Sequence, residues 1–190
     1  MGCVFMGKIS EYIGSQFVNP HGLVGFFCRR TINRQNKKMY EKIISLAGEK
    51  SFQKILDIGY ENDFMIKTLD KKFSPEIFGI AGRINFSEDK SSTLPFESNF
   101  FDAIFSVNSI YFWDDTLRAL KEIHRCMKDG AVFYNAVYTR EWMDSRSYTE
   151  RGFKKFEPVE LIVLGREAGF EKILVHEIVH RKSFVVEYRK

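Results

Sequence analysis

The sequence predicts an α/β domain: a doubly wound, mostly parallel sheet with one antiparallel C-terminal strand, preceded by an N-terminal helical lead. Three observations carry that prediction. Short apolar runs alternate with segments of helical period along much of the 190 residues. One run, Phe101 to Val107, is apolar almost throughout, as a strand covered on both faces must be. The last two runs are separated only by Arg181-Lys182-Ser183, too short a link for a helical crossover, so they pair antiparallel.

Each element follows from local pattern. Residues 1–50 form the helical lead and 51–190 the α/β core of a single domain, a size ordinary for one domain. Tyr40, Ile43, Ile44 and Ala47 share one helical face, and Gly48 is a C-terminal stop. Lys54 to Gly59 is a short β-rich run ending in Gly; Met65, Ile66 and Leu69 mark the next helix, and Ile77–Ile80 the second strand. Asp114 or Asp115 caps a helix carrying Leu117, Leu120, Ile123 and Met127, which Gly130 ends before a strand at Ala131–Val137. Pro158 suits a first helical turn, in a helix that stops at Gly169, and Ile173–Val179 and Phe184–Tyr188 alternate as the terminal pair.

Composition narrows the functional classes. The net charge is only +4, and the basic residues are scattered in pairs such as Arg29–Arg30 and Lys154–Lys155, so no nucleic-acid partner is expected. The 19 Phe residues point first to core packing. Three cysteines, with no CxxC pair, suit a reducing, cytoplasmic setting and argue against a disulfide framework or a zinc knuckle. No apolar run reaches the roughly 18–20 residues that span a bilayer, and the first ten residues lack a secretory pattern, so no membrane partner is expected. The four histidines show no metal-ligand spacing, and no GxSxG motif is present.

In wound sheets, ligands lie beyond the carboxyl ends of the strands where strand order reverses. The first strand's loop reads Asp57-Ile58-Gly59-Tyr60-Glu61-Asn62-Asp63. It resembles the first motif of class I, Rossmann-like, S-adenosylmethionine-dependent methyltransferases, an acid followed by glycines at alternate positions. The resemblance extends along the chain. Gln16 to Gly22 with Gly25 looks like the lead of one bacterial group; Leu94-Pro95-Phe96 with Phe101 to Ser106 matches the approach to the family's fourth strand. Glu122 to Gly130 matches the helix and turn before its fifth strand, and Glu167-Ala168-Gly169-Phe170 the turn before its sixth.

Three departures stand out. Glu61 and Asp63 replace the second and third glycines of the motif, adding bulk and negative charge beside the donor's carboxylate. Ala81 stands where the family carries the acid that grips the ribose hydroxyls, and Ala cannot accept those bonds. Only about three residues separate Ile80 from a short run at Ile84–Ser87, against the dozen or more a parallel crossover needs, so the helix after the second strand is expected to be missing.

The resemblance implies S-adenosylmethionine as cofactor, held by Asp57, Gly59, Tyr60, Asp89, Ser106 and Asn108. It implies a small-molecule acceptor near Asn108, Tyr111 and Tyr138, with Tyr134 and Asn135 also at the fifth strand's end and no catalytic acid or base apparent. The alternative is a catalytically inactive protein of the same fold serving as a binding or regulatory module. The sheet edge left open by the shortening is a surface through which copies of the chain can associate.

Overall fold

A computed structural model describes residues 22–48, 50–59, 63–73, 75–80 and 93–190, with side chains from residue 34 onward except near the start and end of the second helix. The elements are α1 (Gly22–Ala47), β1 (Lys54–Ile58), α2 (Asp63–Phe73), β2 (Glu76–Ile80), β3 (Phe101–Val107), α3 (Thr116–Cys126), β4 (Met127–Tyr138), α4 (Arg140–Asp144), α5 (Pro158–Glu167), β5 (Lys172–Val179) and β6 (Ser183–Arg189). The strands form one sheet in the order β2-β1-β3-β4-β6-β5. All neighbours among β2, β1, β3 and β4 are parallel, and β6 runs antiparallel to both β4 and β5. This is the expected wound sheet with one reversed C-terminal strand.

Helices cover both faces. The Tyr134 hydroxyl donates to the Leu46 carbonyl at 3.1 Å, fixing α1 on one face, and the Tyr188 hydroxyl donates to the Leu161 carbonyl at 3.2 Å, fixing α5 on the other. Ile55, Leu56, Ile58, Ala103, Ile104 and Phe105 are fully buried between them, at roughly 1.5–3 kcal/mol for each large aliphatic or aromatic side chain taken from water. Much of the Phe inventory is core: Phe78, Phe96, Phe100 and Phe101 meet mostly edge to face, with centroids between 4.9 and 6.3 Å.

Caps largely fall where the sequence places them. Asp115 opens α3, its carboxylate accepting from the Arg118 N–H at 3.0 Å. Pro158 occupies the first turn of α5, and Gly48 and Gly169 take left-handed φ values of 62° and 104° past the ends of α1 and α5. One boundary differs from expectation: α3 stops at Cys126, not Gly130, and Met127 already belongs to β4. Met127 continues the helical spacing of Leu120 and Ile123, but it pairs with Phe101 of β3, and that pairing wins. Gly130 instead supplies a positive φ of 78° where β4 is irregular, its N–H donating to the Lys190 carbonyl at 3.0 Å. The expected loss of the helix after β2, the run at Ile84–Ser87 and Ala81 lie outside the described residues, as does the segment before Gly22. Among the described residues no helix is long and apolar enough to cross a membrane.

Candidate functional site: a cleft at the strand-order reversal

The chain leaves β1 toward β2 and then returns to β3 on the other side, so strand order reverses between β1 and β3. Ligands of open α/β sheets bind beside such a reversal, at the carboxyl ends. Asp57, Ile58 and Gly59 come from the β1 end, and Ser106, Val107, Asn108 and Ser109 from the β3 end.

Asp57 sits in β1 between Gly79 and Phe105 and is 6% exposed. No hydrogen-bond partner reaches its carboxyl among the described residues, and burial pushes its pKa up to about 7. A buried carboxyl without a partner is costly unless a donor or cation arrives. Gly59 follows at φ 85°, its N–H donating to the Ile80 carbonyl at 2.9 Å. A Cβ at this position would lie 2.3 Å from the Ser109 Cβ, so the two loops touch where only glycine fits. Ser109 in turn shares a 2.7 Å hydroxyl contact with Ser106.

Asn108, Tyr111 and Tyr138 are brought together. Asn108 takes φ 57° just past β3. The Tyr111 hydroxyl donates to Asn108 Oδ1 at 2.8 Å and accepts from the Tyr138 N–H at 2.5 Å. Asn108 Nδ2 donates to Asn36 Oδ1 at 2.9 Å and approaches Met39 Sδ at 3.4 Å, and the Tyr138 hydroxyl donates to the same Asn36 oxygen at 3.3 Å. Burial raises the pKa of Tyr111 and of Tyr138, so both phenols stay protonated near neutral pH. Asn36, buried in α1, is the member that sequence reasoning missed. A lone polar residue on the inward face of a long helix was its one available signal.

The Methyltransferase domain family matches residues 56–135, the stretch from β1 through most of β4. A SAM-dependent methyltransferase from Aquifex aeolicus superposes with a TM-score of 0.59 at 18% identity, covering 84% of this chain and 95% of that one. The chain shares the fold of these class I methyltransferases. The uncharacterized methyltransferase YdaC of Bacillus subtilis is 22% identical over 155 residues, 73% of this chain and 83% of that protein. The arginine-hydroxylase NDUFAF5 of mouse mitochondria is 31% identical over 115 residues, 53% of this chain but only 33% of that protein. Its name shows that sequence kinship of this kind extends to proteins named for a different chemistry.

Within this methyltransferase fold, the described half of the cleft fits a donor with a cationic amino group. Asp57 offers a buried carboxyl with no partner among the described residues, and Gly59 lets the backbone approach closely. Tyr60, Glu61 and Asp89 lie outside the described residues, and Asp63 opens α2. Ser106 is engaged with Ser109, while Asn135 and Tyr134 are fully buried within β4. No group of three or more His, Cys, Asp or Glu side chains able to hold a metal occurs among the described residues.

Proposed function

We propose that this protein is an S-adenosylmethionine-dependent methyltransferase acting on a small-molecule acceptor. The observation that carries the proposal is Asp57: a buried carboxyl with no partner among the described residues, at the strand-order reversal, two residues before a glycine packed against Ser109. In this reading Asp57 and Gly59 hold the amino-acid end of the donor, with Tyr60, Asp89, Ser106 and Asn108 completing its site. S-adenosylmethionine supplies an already activated methyl group, so the protein's work is binding and orientation. Asn108, Tyr111 and Tyr138 form the acceptor's wall.

The phenols there are poor bases, since burial holds them protonated. An acceptor suited to this site therefore brings its own nucleophile, such as a neutral amine, a thiolate or an electron-rich carbon. Self-association through the outer edge of β2 and a cytoplasmic location belong to the same proposal.

A second reading, a non-catalytic binding module, draws on a specific observation: Asn108, Tyr111 and Tyr138 already bond to one another and to Asn36. Thermal unfolding with S-adenosylhomocysteine separates the two. Binding to the folded state stabilises it by RT ln(1 + [L]/Kd), so a ligand at about 100 times Kd adds about 2.7 kcal/mol and raises Tm by several degrees. No shift at about 1 mM favours the non-catalytic reading.

A further inference from the structure

At the outer end of the same mouth, aromatic and basic side chains from three segments converge. Tyr138, the last residue of β4, stacks on Trp142 of α4 with ring centroids 3.9 Å apart and planes 22° apart. The Arg146 guanidinium lies 4.8 Å from the Trp142 ring centroid. The Lys182 ammonium, from the β5–β6 turn, lies 5.3 Å from the same ring and 5.8 Å from that of Tyr138. Thr139 ties the segments together. Its N–H donates to the Lys182 carbonyl at 2.9 Å, its hydroxyl donates to the Arg181 carbonyl at 2.8 Å, and the hydroxyl oxygen accepts from the Trp142 N–H at 3.2 Å.

The charge balance here is uneven. Glu141 is taken by Arg181, Asp144 by Lys155 at 2.7 Å and Glu160 by Arg140 at 2.6 Å. Arg146 and Lys182 have no carboxylate partner among the described residues and rest only on aromatic rings. Arg146 is exposed and Lys182 half-buried, and cation–π contacts of this kind are weak, so both charges stay available to a ligand. Two phenols share this setting: Tyr138 and Tyr148 are both pushed up by burial and both feel the Arg146 charge, which pulls the other way. Held protonated, they place no negative charge beside Arg146. Two cations on one aromatic shelf, beside Tyr138 of the acceptor wall, are complementary to an anion.

We propose that Arg146 and Lys182 bind an anionic group, a carboxylate or a phosphate, carried by the acceptor. The inference rests on the acceptor-wall reading of Tyr138 given above. It assigns the acceptor a chemistry: a small molecule with an anionic handle at one end and a nucleophile that reaches the donor at the other.

The test titrates the full chain with inorganic phosphate and, separately, with acetate, following the Trp142 indole resonance. At least one anion is expected to shift that resonance saturably, and the double variant Arg146→Gln/Lys182→Gln to weaken the binding by about tenfold or more. A Lys121→Gln control, on the exposed side of α3, leaves it unchanged. Saturation by phosphate alone points to a phosphorylated acceptor, and by acetate alone to a carboxylic acid. No saturable shift with either anion at about 50 mM, where even a very weak site fills, overturns the proposal, as does equal affinity in the double variant. S-adenosylhomocysteine is titrated in parallel. Anion binding without nucleoside binding leaves the anion site standing while the methyltransferase reading fails; nucleoside binding without anion binding does the reverse.

Discussion

The Tyr111 hydroxyl sits 2.8 Å from Asn108 Oδ1 and 2.5 Å from the main-chain nitrogen of Tyr138, so one phenol joins the carboxyl ends of β3 and β4. It donates to the first and accepts from the second, which leaves neither partner wanting. Through Asn108 the same bridge reaches Asn36, and so fastens α1 over the mouth of the cleft. The helical lead is thereby part of the site's construction.

Tyr111→Phe removes this bridge and leaves a buried N–H and a half-buried amide oxygen without the phenol. Each such orphan costs about 1–3 kcal/mol, so the variant is expected to lose about 2–4 kcal/mol of unfolding free energy in urea. A loss under about 0.5 kcal/mol would show that water replaces the phenol without cost.

Asp57 makes stability depend on pH with a definite sign. Its folded pKa, about 7, lies above its ordinary value of 3.8. The stabilisation is therefore fully present below about pH 4 and is lost as pH rises through 7, because over that window the folded chain holds a proton that the unfolded chain releases. Asp57→Asn cannot titrate. Its stability relative to the parent is expected to climb between pH 4 and 8, by up to about 4 kcal/mol, since each unit of pKa difference is worth about 1.4 kcal/mol. Urea unfolding of both proteins across that range measures the gap; a gap that stays constant would contradict the burial of an unpartnered carboxyl.

Gly59→Ala places a Cβ 2.3 Å from the Ser109 Cβ on a backbone at φ 85°. Left-handed strain of about 1–2 kcal/mol adds to a comparable overpacking cost, so a loss of about 2–4 kcal/mol is expected by thermal unfolding. Ser109→Gly in the same chain removes the clashing atoms and is expected to recover the overpacking part but not the strain.

Asn135 is fully buried in β4, and neither atom of its amide has a hydrogen-bond partner among the described residues. Asn135→Val removes two orphaned polar atoms from a strand that favours β-branched residues. A gain of about 1 kcal/mol in unfolding free energy is expected. A loss would mean that an enclosed water or a bound molecule normally pairs with the amide.

The layout of the sheet was legible because burial on both faces leaves a direct trace. Phe101–Val107 could only be an inner strand, and the short link at Arg181–Ser183 could only join antiparallel neighbours. The loop at Asp57–Gly59 was legible because close backbone approach demands glycine. The end of α3 was not: Met127 keeps the helical spacing, and only its pairing with Phe101, 26 residues away, pulls it into β4. Asn36 escaped for the same reason, since its partners Asn108 and Tyr138 lie 72 and 102 residues along the chain. The meeting of Arg146, Lys182 and Trp142 likewise depends on how a helix and a distant turn dock, which no local pattern records.

The most direct test is a calorimetric titration of S-adenosylhomocysteine into the parent chain and into Asp57→Asn near pH 7.5. One saturable site is expected in the parent. Affinity is expected to be lower by about tenfold or more in the variant, from loss of a charge-assisted contact, even though the variant is the more stable protein at that pH. Equal affinity in the two chains, or no binding to either at about 1 mM, would contradict the donor-binding role of Asp57.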